Sequence, residues 1–547
     1  MDVISTIVPI EIDILPQNLV YLLNSAGKYS HICFFDSSLV PNKYSKFSYV
    51  CFKPRFVVKS NGKESTFLNC SSQEKQTFNI DPLLFLKEIS IAAITQNNII
   101  YRFDWQHDSA NTGNNNLPDF IGGLAGYISY DFKNYIERLP QASKDDIFLP
   151  LFMLVYYDSL MAYDIDNKKW FFIKIFVVKH QEMSKTSGSI QDYLQDCFRD
   201  CFHDSSNLIC ADSSDYEIAI IINKEKINLI KEIEKSAGKF GKNVSSEKIE
   251  SKIVQDCIKK DIKEVILDSN FTKTNYLETV KKAKKYIHNG DIYQVNITQR
   301  FKCILDVDPY SLYYVLRQKN AAPFSAFLSF PEVKVGSSSP ERFLFLKNGF
   351  IQTRPIKGTR PRGSNESEDL KYVLELQNSI KDHAELNMIV DLERNDLGKF
   401  CQYGTINVAE HAIIEKYARV FHLVSTVTGK VKKGYDFIDI IKATFPGGSI
   451  TGAPKIRAMQ IIDELEPTVR GIYTGAIGYA GINGTMDFNI VIRTFIIKGR
   501  QLYYNVGGGI VEDSNPEDEY QETLDKGMAL REALKFFELK NLLNIGR

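Results

Sequence analysis

The chain has 547 residues, 44% of them hydrophobic and 12% aromatic, enough to bury a large core as one big domain or as two or three ordinary ones. Lysine plus arginine equals aspartate plus glutamate at 67 each, so no net field draws the protein to nucleic acid or to an anionic membrane. Residues 1–17 lack the pattern of a signal peptide, no run of about 18 apolar residues occurs, and nine cysteines scattered without Cys-x-x-Cys predict reduced thiols in the cytoplasm.

In chain order, 48–58, 120–130 and 151–178 are rich in β-branched and aromatic residues, so 1–180 reads as a region of sheet with short helices. Between 181 and 267 the pattern weakens, and polar stretches, lysine and glutamate runs and an isoleucine patch at 218–222 predict a helical connector or insertion. Cys197, Cys201 and His203 fall here, but a zinc site needs a fourth ligand that is not found, and an amphipathic helix is the simpler reading. The third region, 268–540, opens with a helix whose Tyr276, Val280, Ala283 and Ile287 share one face and whose stop is Gly290. It continues through glycine-punctuated strands and helices and ends in a helix that Asn515 caps and Pro516 begins. No internal repeat is found.

On that last helix, Glu519, Glu522 and Lys526 project from one stripe. By spacing alone this is a solvated face with a salt bridge. The preceding Gly507, Gly508 and Gly509, read as a turn after a strand at 502–506, change the expectation: their amides can approach an anion closely, and the carboxylates can bridge to it through a metal. A second acidic helix over 380–397 carries Glu385, and magnesium commonly takes only one or two protein carboxylates. Two further glycine-rich stretches, Arg354-Pro-Ile-Lys-Gly-Thr359 and Phe445-Pro-Gly-Gly-Ser-Ile-Thr-Gly-Ala-Pro454, are compatible with simple turns; neither is a nucleotide-binding loop.

These stretches, with Gly290-Asp-Ile-Tyr-Gln-Val-Asn-Ile-Thr-Gln-Arg300, Ser339-Pro-Glu-Arg342, Ile389-Val-Asp-Leu-Glu-Arg-Asn-Asp-Leu-Gly398, Tyr473-Thr-Gly-Ala-Ile-Gly-Tyr479 and Ile492-Arg-Thr494, resemble the chorismate-utilising enzymes. The resemblance is dense over 268–540 and looser before it, at Phe120-Ile-Gly-Gly-Leu-Ala-Gly-Tyr127 with Tyr130 and Asp131. It implies an α+β fold in which antiparallel β-sheets from both halves pack as a sandwich core surrounded by helices, with the active site in the C-terminal half.

Family members that add water carry a lysine base where this chain has Gln294, and a neutral amide cannot deprotonate water. The resemblance therefore implies amination by ammonia. Anthranilate-type members read Pro-Ile-Ala-Gly-Thr where aminodeoxychorismate-type members, like this chain, have a lysine, here Lys357; Gly447 and 449–451 also fit the latter type. In the implied mechanism Lys357 adds at C2 of chorismate as the 4-hydroxyl leaves, and ammonia then attacks C4 and expels the lysine. Glu341 is the acid or base for the hydroxyl, with Thr359 and His422 near the ring. Glu385 and Glu522 hold Mg²⁺, with Glu519 beside them or acting through water. Arg493, Tyr473, Lys526 and the Gly509 amide grip the enolpyruvyl carboxylate, and Gln294, Gly358 and Gly508 line the substrate.

Taken singly, Arg493 reads as a strand-end salt bridge, Tyr473 as a core aromatic and His422 as a satisfied buried histidine; their joint order is what selects them. Gln460 and Glu512 depart from the family pattern, and Glu512 puts extra charge near the glycine run. No cysteine has the glycine-flanked setting of a glutaminase nucleophile, and no fused lyase is expected, so ammonia comes from a separate glutamine amidotransferase subunit and the product is 4-amino-4-deoxychorismate. Leu22-Leu-Asn-Ser25 lacks the glutamate of the tryptophan-binding element of feedback-inhibited anthranilate-type members, and Tyr44-Ser-Lys-Phe47 matches the aminodeoxychorismate type, so tryptophan sensitivity is not expected. The competing readings are an anthranilate-type synthase and a catalytically silent binding subunit.

Overall fold

The apolar runs of the N-terminal region form strands buried on both faces. In Asp2–Ile10, Val3 and Ile7 enter one core while Ile4 and Val8 enter another, the period-two alternation of a strand covered on each side. The structure, a computed structural model, describes all residues except 1, 39–43, 45, 96–97, 104–116, 180–200, 202–207, 211–214, 239–245, 259–264, 418 and 545–547. Cys197 and His203 lie outside the described residues.

Two large, mainly antiparallel sheets of 14 and 12 strands share one interior. Each is assembled from both ends of the chain. In the larger sheet, Ile32–Asp36 pairs with Phe324–Ser329; in the smaller, Gly123–Ile128 pairs with Ala476–Gly481. The core between the sheets takes Tyr49, Leu160 and Ile173 from one and Phe56, Leu124 and Phe488 from the other. A second core on the outer face of the larger sheet is closed by helices that include Pro16–Ser25, Pro309–Lys319 and Met528–Asn544. This is the α+β sandwich wrapped by helices that the family resemblance implies.

The described part of 181–267 contains the strand Leu208–Cys210 and the helices Asp215–Gly238 and Ser246–Ile258. The helix expected before Gly290 spans Lys273–His288, capped by Thr272, with Tyr276, Val280 and Ala283 buried and Gly290 at φ +81°. Within 22–25, Asn24 bridges elements, accepting from Ser329 Oγ at 3.0 Å and donating to Asp308 at 3.4 Å.

Candidate active site

The glycine run is not a turn. Gly507, Gly508 and Gly509 lie inside the strand Gln501–Ile510, in register with Thr298, Ile297 and Asn296. Their missing side chains make room for neighbours: a Cβ on Gly507 would stand 2.5 Å from Thr298 Cγ2, and one on Gly509 would stand 2.4 Å from Gln294 Nε2. The chain turns only at 511–514 and then enters the helix Pro516–Lys526, capped by Asn515 as expected. That helix stops at Gly527 and a second, Met528–Asn544, follows it.

This strand and helix present the acidic stripe to Gly508. A Cβ there would lie 3.0 Å from Glu519 Oε2 and 3.5 Å from Glu522 Oε1. Glu519 is buried; its Oε1 accepts from Ser514 Oγ at 2.6 Å, while its Oε2 has no hydrogen-bond partner. Burial raises its pKa. Glu522 is drawn the other way by Lys526, 2.5 Å away, and Lys526 also donates to the Gly507 carbonyl at 3.0 Å.

Lys357 likewise sits on a strand, not a turn. Ile356–Pro361 pairs with Val420–Lys430, but the register slips between Lys357 and Thr359, leaving Gly358 as a bulge at φ +71°. A side chain at 358 would meet Leu376 at 2.8 Å and Asp382 at 2.9 Å, so the helices behind the strand require glycine. The bulge sets exposed Thr359 opposite buried His422, with Oγ1 3.0 Å from Nδ1. Burial, helped by the positive charge of Arg493, holds the imidazole pKa down at about 3, so the ring is neutral. Lys357 is half-buried. Burial lowers its pKa; Glu385 and Glu341 oppose that effect and Lys526 reinforces it.

Glu341 lies in the short link between Lys334–Ser339 and Arg342–Lys347 and is buried. Its carboxylate accepts from the Ser449 hydroxyl and the Ile356 amide, yet burial dominates and pushes its pKa up to about 7. Glu385 lies on the helix Ile380–Gly398, which Ser379 caps. Burial raises the pKa of Glu385, with Lys357 the main opposing charge.

Gln294 is fully buried with neither amide atom satisfied, an acceptor and donor pair held ready beside Gly509. Tyr473 is buried, which pushes its phenol up to about 12. Arg493, at φ +54°, donates to the Lys526 carbonyl, and burial lowers its pKa without discharging the guanidinium. Glu512 is exposed and lies 3.6 Å from His288. Gln460 accepts from Arg457 at 3.2 Å, on the helix Lys455–Leu465.

Some residues that build the site were not singled out from the sequence. Arg470 is buried and donates to Glu466 at 2.7 and 3.0 Å, to the Ile450 carbonyl at 3.0 Å and to the Asn296 carbonyl at 2.9 Å. It thus fixes two backbone segments of the site to each other. Tyr130 and Asp131 hold the turn before Tyr473: Asp131 accepts from the Gly471 amide at 2.8 Å, and the Tyr130 amide donates to the Gly471 carbonyl at 2.8 Å. The only sequence signal for these contacts was that Tyr130 and Asp131 belong to the N-terminal stretch that matched the family.

Among the described residues, no three His, Cys, Asp or Glu side chains stand together as a ready metal cage. The donor set nonetheless suits a hard cation. Glu519 Oε2 is a buried carboxylate oxygen without a donor, Glu522 Oε1 adjoins it over Gly508, and Glu385 acts electrostatically on Lys357 as Glu522 does. One or two carboxylates with water and substrate oxygens complete a magnesium octahedron.

Residues 53–532 match the chorismate binding enzyme family, and the chain belongs to that family. Aminodeoxychorismate synthase component 1 of Bacillus subtilis (strain 168) is 37% identical over 425 residues, 78% of this chain and 79% of that protein. The Escherichia coli (strain K12) protein of the same name is 35% identical over 490 residues, 90% of each. Anthranilate synthase component 1 of Aquifex aeolicus (strain VF5) is 36% identical over 459 residues, 84% of this chain and 80% of that protein. Among solved structures, anthranilate synthase component I from Streptococcus pneumoniae TIGR4 superposes with a TM-score of 0.65 at 28% identity, covering 90% of this chain and 93% of that one. The protein is thus an enzyme of the chorismate-utilising class. Among the described residues, no helix is long and apolar enough to cross a membrane.

Proposed function

We propose that the chain aminates chorismate at C4, forming 4-amino-4-deoxychorismate and water from chorismate and ammonia, as the synthase component of a two-subunit enzyme serving 4-aminobenzoate and folate synthesis. The observation that carries this reading is Lys357: an amine whose pKa burial lowers, on a bulged strand, within electrostatic reach of buried Glu341 and Glu385. Once it has lost its proton, such an amine is a competent nucleophile. An alanine at this position, as in anthranilate-type members, would offer none.

In the proposed sequence, the Lys357 nitrogen bonds to C2 of chorismate, both ring double bonds shift by one position and the C4–O bond of the 4-hydroxyl breaks. Glu341, protonated up to about pH 7, gives its proton to that hydroxyl, so water leaves. Ammonia then bonds to C4, both double bonds shift back, the C2–N bond to Lys357 breaks, and the new C4 ammonium returns a proton to Glu341. Arg493, Tyr473 and Lys526 bind the enolpyruvyl carboxylate with the strand amide of Gly509, while Gln294, Gly358, Gly508, Thr359 and neutral His422 line and orient the ring. Glu385, Glu519 and Glu522 are the proposed holders of Mg²⁺. When bound, the cation neutralises the ring carboxylate and polarises the leaving hydroxyl.

Ammonia is proposed to come from a glutamine amidotransferase subunit. The chorismate-handling part is assigned to 268–540, with 1–180 completing the sheets and 181–267 a connector or insertion. Cysteines without a paired motif suit the cytoplasm as its location. The test is mass identification of the product formed from chorismate, an ammonium salt and Mg²⁺. A product with the mass of 4-amino-4-deoxychorismate is expected; anthranilate with pyruvate would make the chain an anthranilate-type synthase. Chorismate binding without turnover at alkaline pH would make it a silent binding subunit.

A further inference from the structure

We infer that Glu393 is a positioning residue for this site, tying the segment that presents Ser449 to Glu341 and the strand that leads into Lys357 onto the helix that carries Glu385. The inference rests on the amination reading above and adds a group that the reading does not use.

Glu393 lies two turns beyond Glu385 on the helix Ile380–Gly398, on its inner side, and is 3% exposed. Its two oxygens go to different segments. Oε1 accepts from the Gly448 amide at 3.1 Å, and Oε2 lies 3.3 Å from Thr353 Oγ1. Gly448 opens the short turn Gly448–Ile450, whose Ser449 hydroxyl donates to Glu341. Thr353 stands on Phe350–Arg354, four residues before Lys357. Gly448 is pressed so close that a Cβ there would lie 2.6 Å from Leu392 and 3.1 Å from Glu393 Oε1. One side chain therefore sets the spacing between the donor to the acid and the approach to the nucleophile.

The charged groups facing Glu393 are Asp396 from its own helix, Lys455 from Lys455–Leu465 and, more distantly, Glu341. Lys455 is committed to Asp396 and to the carbonyls of Thr444 and Pro446, both at 2.8 Å, and Lys399 holds the other Asp396 oxygen at 2.9 Å. Burial raises the pKa of Glu393 to about 7, so near neutrality it is partly protonated; its oxygens accept from the Thr353 hydroxyl and the Gly448 amide. Glutamine keeps the acceptor for Gly448 and can donate to Thr353 Oγ1 once that hydroxyl turns, without the charge.

The experiment compares the full chain with Glu393→Ala and Glu393→Gln by the rate of chorismate disappearance with an ammonium salt and Mg²⁺, and by amide hydrogen exchange at 445–454. In Glu393→Ala, kcat is expected to fall by roughly tenfold or more with the KM for chorismate little changed, because misplaced groups lose rate before they lose substrate. Exchange at Gly448 should quicken. Glu393→Gln should recover most of the rate and the protection, and should move the alkaline limb of the rate profile to lower pH, since a like charge near Glu341 is gone. Unchanged exchange in the alanine variant overturns the tether. So does a glutamine variant as impaired as alanine, or one whose pH profile is that of the wild type. If the alanine variant does not fold, the glutamine comparison still decides. Product mass on the wild type tests the amination reading separately, because exchange at Gly448 is scored without turnover.

Discussion

Gly508 and Glu519 are packed so closely that a side chain on Gly508 would begin 3.0 Å from Glu519 Oε2, an oxygen with no hydrogen-bond partner. Gly508 lies in extended strand geometry, so alanine costs no backbone strain there; what it costs is room for whatever that oxygen binds. Gly508→Ala is expected to lower apparent affinity for Mg²⁺ by about tenfold or more, the scale of disturbing groups around metal ligands, with little change in thermal stability. Rates titrated against Mg²⁺ check this, and an unchanged titration would remove the cation from above Gly508.

Lys357→Ala should cut amination by at least about 100-fold, the scale of losing a reacting group in acid–base catalysis. Chorismate should still bind, measured by equilibrium dialysis, because the carboxylate-gripping groups are elsewhere. A variant with wild-type turnover would take the covalent step out of the scheme.

Glu341 makes a prediction with a definite sign. Its folded pKa, about 7, lies above the ordinary 4.5, so the folded state holds the proton more tightly than the unfolded chain. The stability it contributes is full below about pH 4.5 and is lost as pH rises to about 7, at about 1.4 kcal/mol per pKa unit. Glu341→Gln should therefore lose less stability than wild type between pH 5 and pH 8. At a fixed concentration of unprotonated ammonia, the wild-type rate should decline above about pH 7, and the variant should lose that limb along with most activity. Identical melting profiles for the two proteins across this range would show that Glu341 is not held protonated.

Arg470 carries a structural prediction. Removing it leaves buried Glu466 without its cation, with the Thr298 amide still donating to it, and takes away a donor from the Ile450 and Asn296 carbonyls. Arg470→Ala should cost about 3–5 kcal/mol, the scale of breaking a buried pair. The check is the denaturation midpoint, and a shift within error of wild type would mean the network is dispensable.

Local rules read much of this molecule correctly. The cap at Asn515, the stop at Gly290 and the buried face of Tyr276, Val280 and Ala283 follow from patterns within one or two helical turns. The same rules misread Gly507 to Gly509 and Gly358 as turns. Glycine was needed there because Thr298, Gln294, Leu376 and Asp382 crowd in from elements far away in sequence. Nothing adjacent in the chain announces such neighbours.

Sequence by itself determined which chemical groups exist and in what order, since the spacing of Glu341, Lys357, Glu385, Arg493 and Glu522 within family motifs is a property of the chain alone. It also determined that strands and helices would be amphipathic or buried, because side-chain period is local. Only the tertiary structure decided that Ile32–Asp36 meets Phe324–Ser329, that Ser449 reaches Glu341, and that Glu393 joins two segments behind it. Those contacts form between residues tens to hundreds of positions apart. They are selected by the packing of two sheets and their helices as a whole, and no short-range pattern encodes that outcome.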